Sequence, residues 1–208
     1  MDRFNKMLKM SEPFFRQKLS NNFVLLKNHF DENRDKMQAN FSVKLKKLYA
    51  LAIEQQKENE KENGKEAFSF LYFSYLRTTI LMKDYNYKIS LHNKDFHLDS
   101  VETCQYIKIG FLFKYIEQDI EELKVILRKD PKLRPISSFD ENELAYRYSL
   151  TYMFSAMFFL KALIKEAIEI GKKEGWQTPV FSDDFTVVFG GNMEPVYEIY
   201  SNSPKFLI

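Results

Sequence analysis

Cysteine is nearly missing from this 208-residue chain: Cys104 stands alone. No internal disulfide can form, and thiolate metal clusters are excluded. Glycine and proline are scarce too, at six each, which suits long helices better than a loop-rich or all-β chain. Long uncharged runs are absent. The two most apolar stretches, Ala67 to Met82 and Tyr152 to Leu160, fall short of a membrane span, and the first contains Arg77. No export signal is expected either, because Met1 to Ser20 is broken by Arg3, Lys6, Lys9, Glu12, Arg16 and Lys18. With one unpaired thiol, the cytoplasm is the expected compartment.

A large charge of one sign is also lacking. The chain has 31 Lys plus Arg against 29 Asp plus Glu, for a net of +2. The distribution is uneven, since residues 1–48 carry a net +6 and the remainder −4. A basic first quarter could rest on nucleic acid, but only Lys44, Lys46 and Lys47 cluster and no recognition motif accompanies them, so nucleic-acid binding ranks third among the expected functions.

What is present is aromatic. Twenty Phe, twelve Tyr and one Trp, within a composition that is 45% hydrophobic, are far more than a disordered chain carries. Ser11 reads as an N-cap with Glu12 and Pro13 in the first turn, followed by Phe15, Leu19, Phe23, Leu26 and Phe30 at helical spacing. After the polar cluster Asp31 to Asp35, a second stripe runs through Met37, Phe41, Leu45, Leu48 and Ala52 and ends near Gly64. Lys65 to Lys83 reads as a third helix, apolar nearly all round and therefore central. From Tyr87 to Asp99 the period becomes two. A hairpin with its turn at Asn93-Lys94 would set Leu91 opposite Phe96 and Ile89 opposite Leu98.

A fourth helix is expected from Asp99 or Ser100, with a seam of Ile109, Leu112, Phe113, Ile116, Ile120, Leu123 and Leu127. The fifth opens on the capping box Ser138 to Glu141 and runs to about Lys173. Phe185 to Phe189 and Val196 to Tyr200, joined through Gly190-Gly191, give a second hairpin. The expected fold is therefore mainly α with a small α+β character. It is one domain over 1–208, a bundle of about five helices, with hairpins near 85–99 and 184–201 joined in one small antiparallel sheet.

Motifs for chemistry are few. His92, Asp95, His97 and Asp99 fall within eight residues, but the hairpin register does not put the two histidines side by side, and His29 is remote. No metal and no cofactor is expected. G-x-S-x-G and H-E-x-x-H are absent, and the Gly190-Gly191 pair lies between strands and not at a strand-to-helix junction. Glu117, Asp119, Glu121 and Glu122 read as the charged face of an amphipathic helix.

Arg77 is the residue that stands out. On a helical wheel it lies within about forty degrees of Phe70, Phe73 and Leu81, so its charge should meet an Asp or Glu of a later helix, such as Glu117 or Glu143, or reach water, or else face an anionic ligand. In the last case a pocket would form around Arg77 with Tyr75 and Arg147 as neighbours. Because no convergent chemical site is evident, the first expectation is a protein-interaction or regulatory module without catalytic activity, binding an unknown protein partner or itself, a homodimer being the form self-association would take. The alternative is a small-ligand or anion-binding protein built on Arg77, an enzyme being included in that class. The tail Pro204 to Ile208 ends in three apolar residues and is expected to dock on the protein's own body.

Overall fold

The computed structural model describes residues 3–60, 67–96, 103–133, 135–191 and 196–201, leaving aside the side chains of residues 59, 60, 77, 81, 132 and 156. The elements are α1 (Arg3–Glu60), β1 (Phe68–Tyr75), α2 (Arg77–Leu81), β2 (Asn86–His92), β3 (Thr103–Lys108), a 3-10 turn at Gly110–Phe113, α3 (Ile116–Arg128), α4 (Ser138–Lys173), β4 (Phe181–Gly191) and β5 (Val196–Ser201). The strands form one mixed sheet in the order β3-β2-β1-β4-β5. β1 lies at its centre, antiparallel to β2 and parallel to β4, and β3 and β5 close the two edges antiparallel to their neighbours.

This overturns the expected five-helix bundle with a small two-hairpin antiparallel sheet. The stretch read as the central helix is β1. Its sequence Phe-Ser-Phe-Leu-Tyr-Phe-Ser-Tyr is buried on both faces, so neither a period of two nor one of 3.6 is visible, and the aromatic-rich composition favours the strand. Leu71, Phe73 and Tyr75 face the helices, with Phe41 stacked on Phe73 at 5.8 Å. On the other face, Phe96 folds back over Phe70 and Tyr72, at 4.9 and 5.2 Å.

The first hairpin is also corrected. β2 stops at His92, where Asn93 Oδ1 accepts from the Asp95 amide at 2.8 Å and Phe96 adopts φ +51. Both sides of β2 are taken by β1 and β3, with Ile89 opposite Gln105 and Leu91 opposite Thr103. His97, Leu98 and Asp99 lie outside the described residues. The expected fourth helix is split: Thr103–Lys108 is an edge strand, and the helix begins only at Ile116. β4 and β5 do pair antiparallel, Val187 opposite Tyr200 and Gly190 opposite Val196, but as one flank of the five-stranded sheet.

The two expected amino-terminal helices are one. α1 spans 58 residues, about 87 Å at 1.5 Å per residue. Ser11 is internal, its hydroxyl donating to the Met7 carbonyl at 2.8 Å, and Pro13 sits inside the helix. The charges from Asp31 to Asp35 do not break it, because they occupy the wet side while Phe30 and Met37 stay on the core. α4 runs beside α1 in the same direction. The contacts advance together, from Arg3 with Asp140, through Asn22 with Tyr152 and Arg34 with Glu166, to Lys46 over Trp176. α3 runs opposite to both, since Lys6 meets Asp130 while Lys18 meets Glu122. The first halves of α1 and α4 thus form a three-helix bundle with α3, and their second halves cover one face of the sheet.

Candidate functional site

The three-helix bundle carries a groove between α1 and α4. It has a volume of about 600 Å³, a floor of Leu8, Phe15 and Leu19, and a rim that includes Lys9, Glu12, Arg16, Arg147 and Thr151. Helical spacing puts Leu8, Glu12, Arg16 and Leu19 on one flank of α1, and the residues that meet α3, Met7, Lys18 and Asn22, on another. Beyond Leu19 the same seam reaches Phe23, whose ring meets Phe158 of α4 edge-on at 5.8 Å. Phe158 is 66% exposed, so this seam carries an aromatic ring to the surface.

Beneath the floor lies a buried polar cluster. Asp119 of α3 is 2% exposed. Its Oδ2 accepts from Asn22 Nδ2 at 2.8 Å, from Tyr152 Oη at 3.2 Å and from the Tyr148 hydroxyl. Lys18 Nζ stands 3.5 Å from its Oδ1 and pairs with Glu122 as well. Burial, and then the hydrogen bond to Asp119, pushes the Tyr148 hydroxyl far above the usual tyrosine range. Burial also pushes Tyr152 up to about 12, against the lowering effect of its hydrogen bonds with Tyr148 and Asn22. A carboxylate buried among a cation and three neutral donors is satisfied by its own chain. The cluster is therefore an internal brace, with the tyrosines held protonated.

Asp119 is the functional-looking residue that the sequence reading misplaced, grouped there with Glu117, Glu121 and Glu122 as surface charge. The signal was available: Tyr148 and Tyr152, four apart on the apolar helix α4, bring two hydroxyls to one face, and those need an acceptor.

Of the residues expected to form a pocket, Tyr75 ends β1 within the helix-facing core, 2% exposed, with Phe154 and Phe189 around its ring. Arg147 is elsewhere, on the groove rim, where Nε donates to Glu143 at 2.8 Å and the guanidinium lies 5.7 Å from the Phe4 ring. Arg77 is the first residue of α2, and its side chain lies outside the described ones. The helical wheel that set it among Phe70 and Phe73 does not apply, because those residues are in a strand. Of its expected carboxylate partners, Glu117 pairs with Lys83 at 3.2 Å and Glu143 with Arg147. The tail Pro204 to Ile208 is likewise outside the described residues.

Among the described residues, no group of three or more His, Cys, Asp or Glu side chains could hold a metal ion. No described helix is long and apolar enough to cross a membrane. Among the described residues, ion pairs engage Arg3, Lys6, Arg16, Lys18, Lys27 and Arg34 of the basic first quarter. Set against models of protein families, curated proteins and solved structures, the chain matches none.

Proposed function

We propose that this protein is an interaction module that takes the apolar face of a partner's amphipathic helix into the α1–α4 groove, as a fourth helix beside α1, α3 and α4. The observation that supports this most directly is the apolar floor of the groove running out to an exposed Phe158. Helix-in-groove recognition needs such a floor, with anchors at helical spacing. The groove is braced from below, since Phe15 rests on Tyr148. Little is lost in ordering it on binding. Of the positive side chains that line it, Arg16 is paired with Glu12 and Arg147 with Glu143, and Lys9 leaves the rim one positive charge in excess, which favours a partner helix with an acidic flank over a basic one.

The test is affinity capture with the full chain and with a Phe158→Glu/Thr151→Arg variant, both sites being exposed. A partner held by the parent and lost from the variant at unchanged melting temperature supports the reading. Light scattering on both proteins tests a second copy as the partner. If the variant keeps every partner and the same oligomeric state, the groove is not the docking face.

A further inference from the structure

We propose that the partner docked on the α1–α4 seam is a second copy of this chain, the two copies lying antiparallel about a two-fold axis beside Phe158. This pairing rests on the groove being a docking face and names what docks there. The seam holds a second groove of about 470 Å³, between the later turns of α1 and α4, with Ala39, Val43, Ile170 and Trp176 as its apolar lining. Steps of four, seven and eleven residues, through Leu8, Glu12, Leu19, Phe23, Arg34 and Gln38, keep to one stripe of α1. Both grooves therefore open on the same side of the seam. On α1 the first runs from Asn5 to Leu19 and the second from Asp35 to Lys46, so their centres are about 40 Å apart at 1.5 Å per residue. Phe158 stands near the midpoint, because α4 keeps pace with α1: Tyr152 is level with Asn22, and Glu166 with Arg34.

The two grooves carry opposite charge. In the first, Arg16 is paired with Glu12 and Arg147 with Glu143, which leaves Lys9 in excess. The second is lined by the carboxylates Asp35, Glu166 and Glu174. Against them stand Lys46 in the lining and Arg34 just outside it, 3.1 Å from Glu166. Three negative charges against two positive leave one negative in excess. Glu174 also accepts from the Trp176 indole at 2.8 Å, a neutral donor that leaves its charge in place.

A seam that is basic at one end and acidic at the other matches itself when turned end to end. Two copies laid in parallel would set Lys9 beside Lys9 and Glu174 beside Glu174, and like charges so placed disfavour a complex. In the antiparallel pair, turned about the level of Phe158, Lys9 of one copy comes level with Glu174 of the other, since Trp176 is level with Lys46. Arg16 and Arg147 come level with Asp35 and Glu166. A two-fold axis makes each of these matches twice. The same axis brings the two Phe158 rings, each 66% exposed, beside one another, and carries Val43, 53% exposed, over the Leu8 end of the first groove.

Sedimentation equilibrium of the full chain should show a dimer at micromolar concentration that loosens as salt is raised. Lys9→Glu and Glu174→Lys, both at exposed positions, should each weaken self-association by at least about tenfold, because each sets like charges together twice. Mixed in equal amounts, the two variants should pair with one another about as tightly as the parent pairs with itself, because their reversed charges then face each other. Rescue on mixing cannot come from variants that merely misfold. Arg16→Glu with Asp35→Lys, also exposed, is a second such pair and should behave alike. A dimer that ignores these charge changes, or two sets of variants neither of which is rescued by mixing, overturns the proposal. A parent that stays monomeric at about 100 μM, weaker than a stable pair allows, overturns it as well. That last result leaves the groove reading standing, which fails instead if the Phe158→Glu/Thr151→Arg variant keeps every captured partner.

Discussion

Phe15 of α1 lies flat on Tyr148 of α4, with ring centroids 4.2 Å apart and planes 13° from parallel. One side of that phenylalanine lines the groove, and the tyrosine beneath it donates its hydroxyl proton to Asp119. The docking floor and the buried carboxylate are therefore one mechanical unit, built from three helices that the chain visits far apart in sequence.

Removing the carboxylate should be costly. Asp119→Ala removes the acceptor shared by the Tyr148 and Tyr152 hydroxyls and the Asn22 amide, leaving them only their bonds to one another, and is expected to destabilise the fold by about 3 kcal/mol. For a chain of this size that corresponds to a fall in melting temperature of roughly 6–12 °C. Asp119→Asn, which keeps an acceptor, should cost less. Calorimetry checks both, and equal melting of Asp119→Ala and the parent would show that the cluster contributes nothing.

Alkaline pH should act on the same cluster. Tyr152 and Tyr85 are pushed up to about 12, and Tyr49, Tyr87 and Tyr148 are also raised, in each case first by burial. The unfolded chain loses these protons near pH 10 while the folded one keeps them. Their contribution is thus intact below pH 10 and declines as pH rises, by about 1.4 kcal/mol per pH unit for each such tyrosine until its folded value is reached. Phenolate absorbance and helical circular dichroism, followed together as pH rises, check this. The five buried tyrosines should ionise only as helical circular dichroism is lost. Ionisation of these five phenols near pH 10 with the helix signal intact would contradict this.

The continuity of α1 can be tested at Pro13. A proline inside a helix removes the hydrogen bond to the carbonyl four residues back and costs about 3 kcal/mol. Pro13→Ala should therefore stabilise the protein measurably in urea. Were Ser11 the helix start, proline would be well suited to the first turn, and the same change would be neutral or harmful.

The opening of α4 makes the opposite prediction at acid pH. Ser137 is the N-cap, its hydroxyl accepting from the Asp140 amide at 3.2 Å, while Asp140 Oδ2 accepts from the Ser137 amide at 2.9 Å. Burial pushes the Asp140 carboxyl up, but the Ser137 amide and hydroxyl and the Arg3 charge outweigh it and hold it below the usual range. Its contribution is present above the ordinary aspartate value and fades as pH falls through the lowered one. Ser137→Ala should cost about 1 kcal/mol at neutral pH. A melting temperature unchanged by Ser137→Ala at pH 7 would remove the capping box from the account.

Local chemistry was enough for some of this. The helix from Ser138 to Lys173 forms where its cap and apolar run indicate, with the cap one residue earlier than the Ser138 to Glu141 pattern suggests. Phe185–Phe189 and Val196–Tyr200 pair because alternating β-rich runs around a glycine pair leave few other options. The rest depended on partners distant in the chain. Phe68–Tyr75 is a strand because β2 and β4 flank it, β4 more than a hundred residues later, and a segment buried on both faces carries no period of its own. α1 stays whole because α3 and α4 lie along it, and Asp119 is buried because Asn22, Tyr148 and Tyr152 converge on it. Burial is a property of the assembled neighbours, so a residue's own segment could neither announce its helical partner nor reveal which carboxylate would be taken out of water.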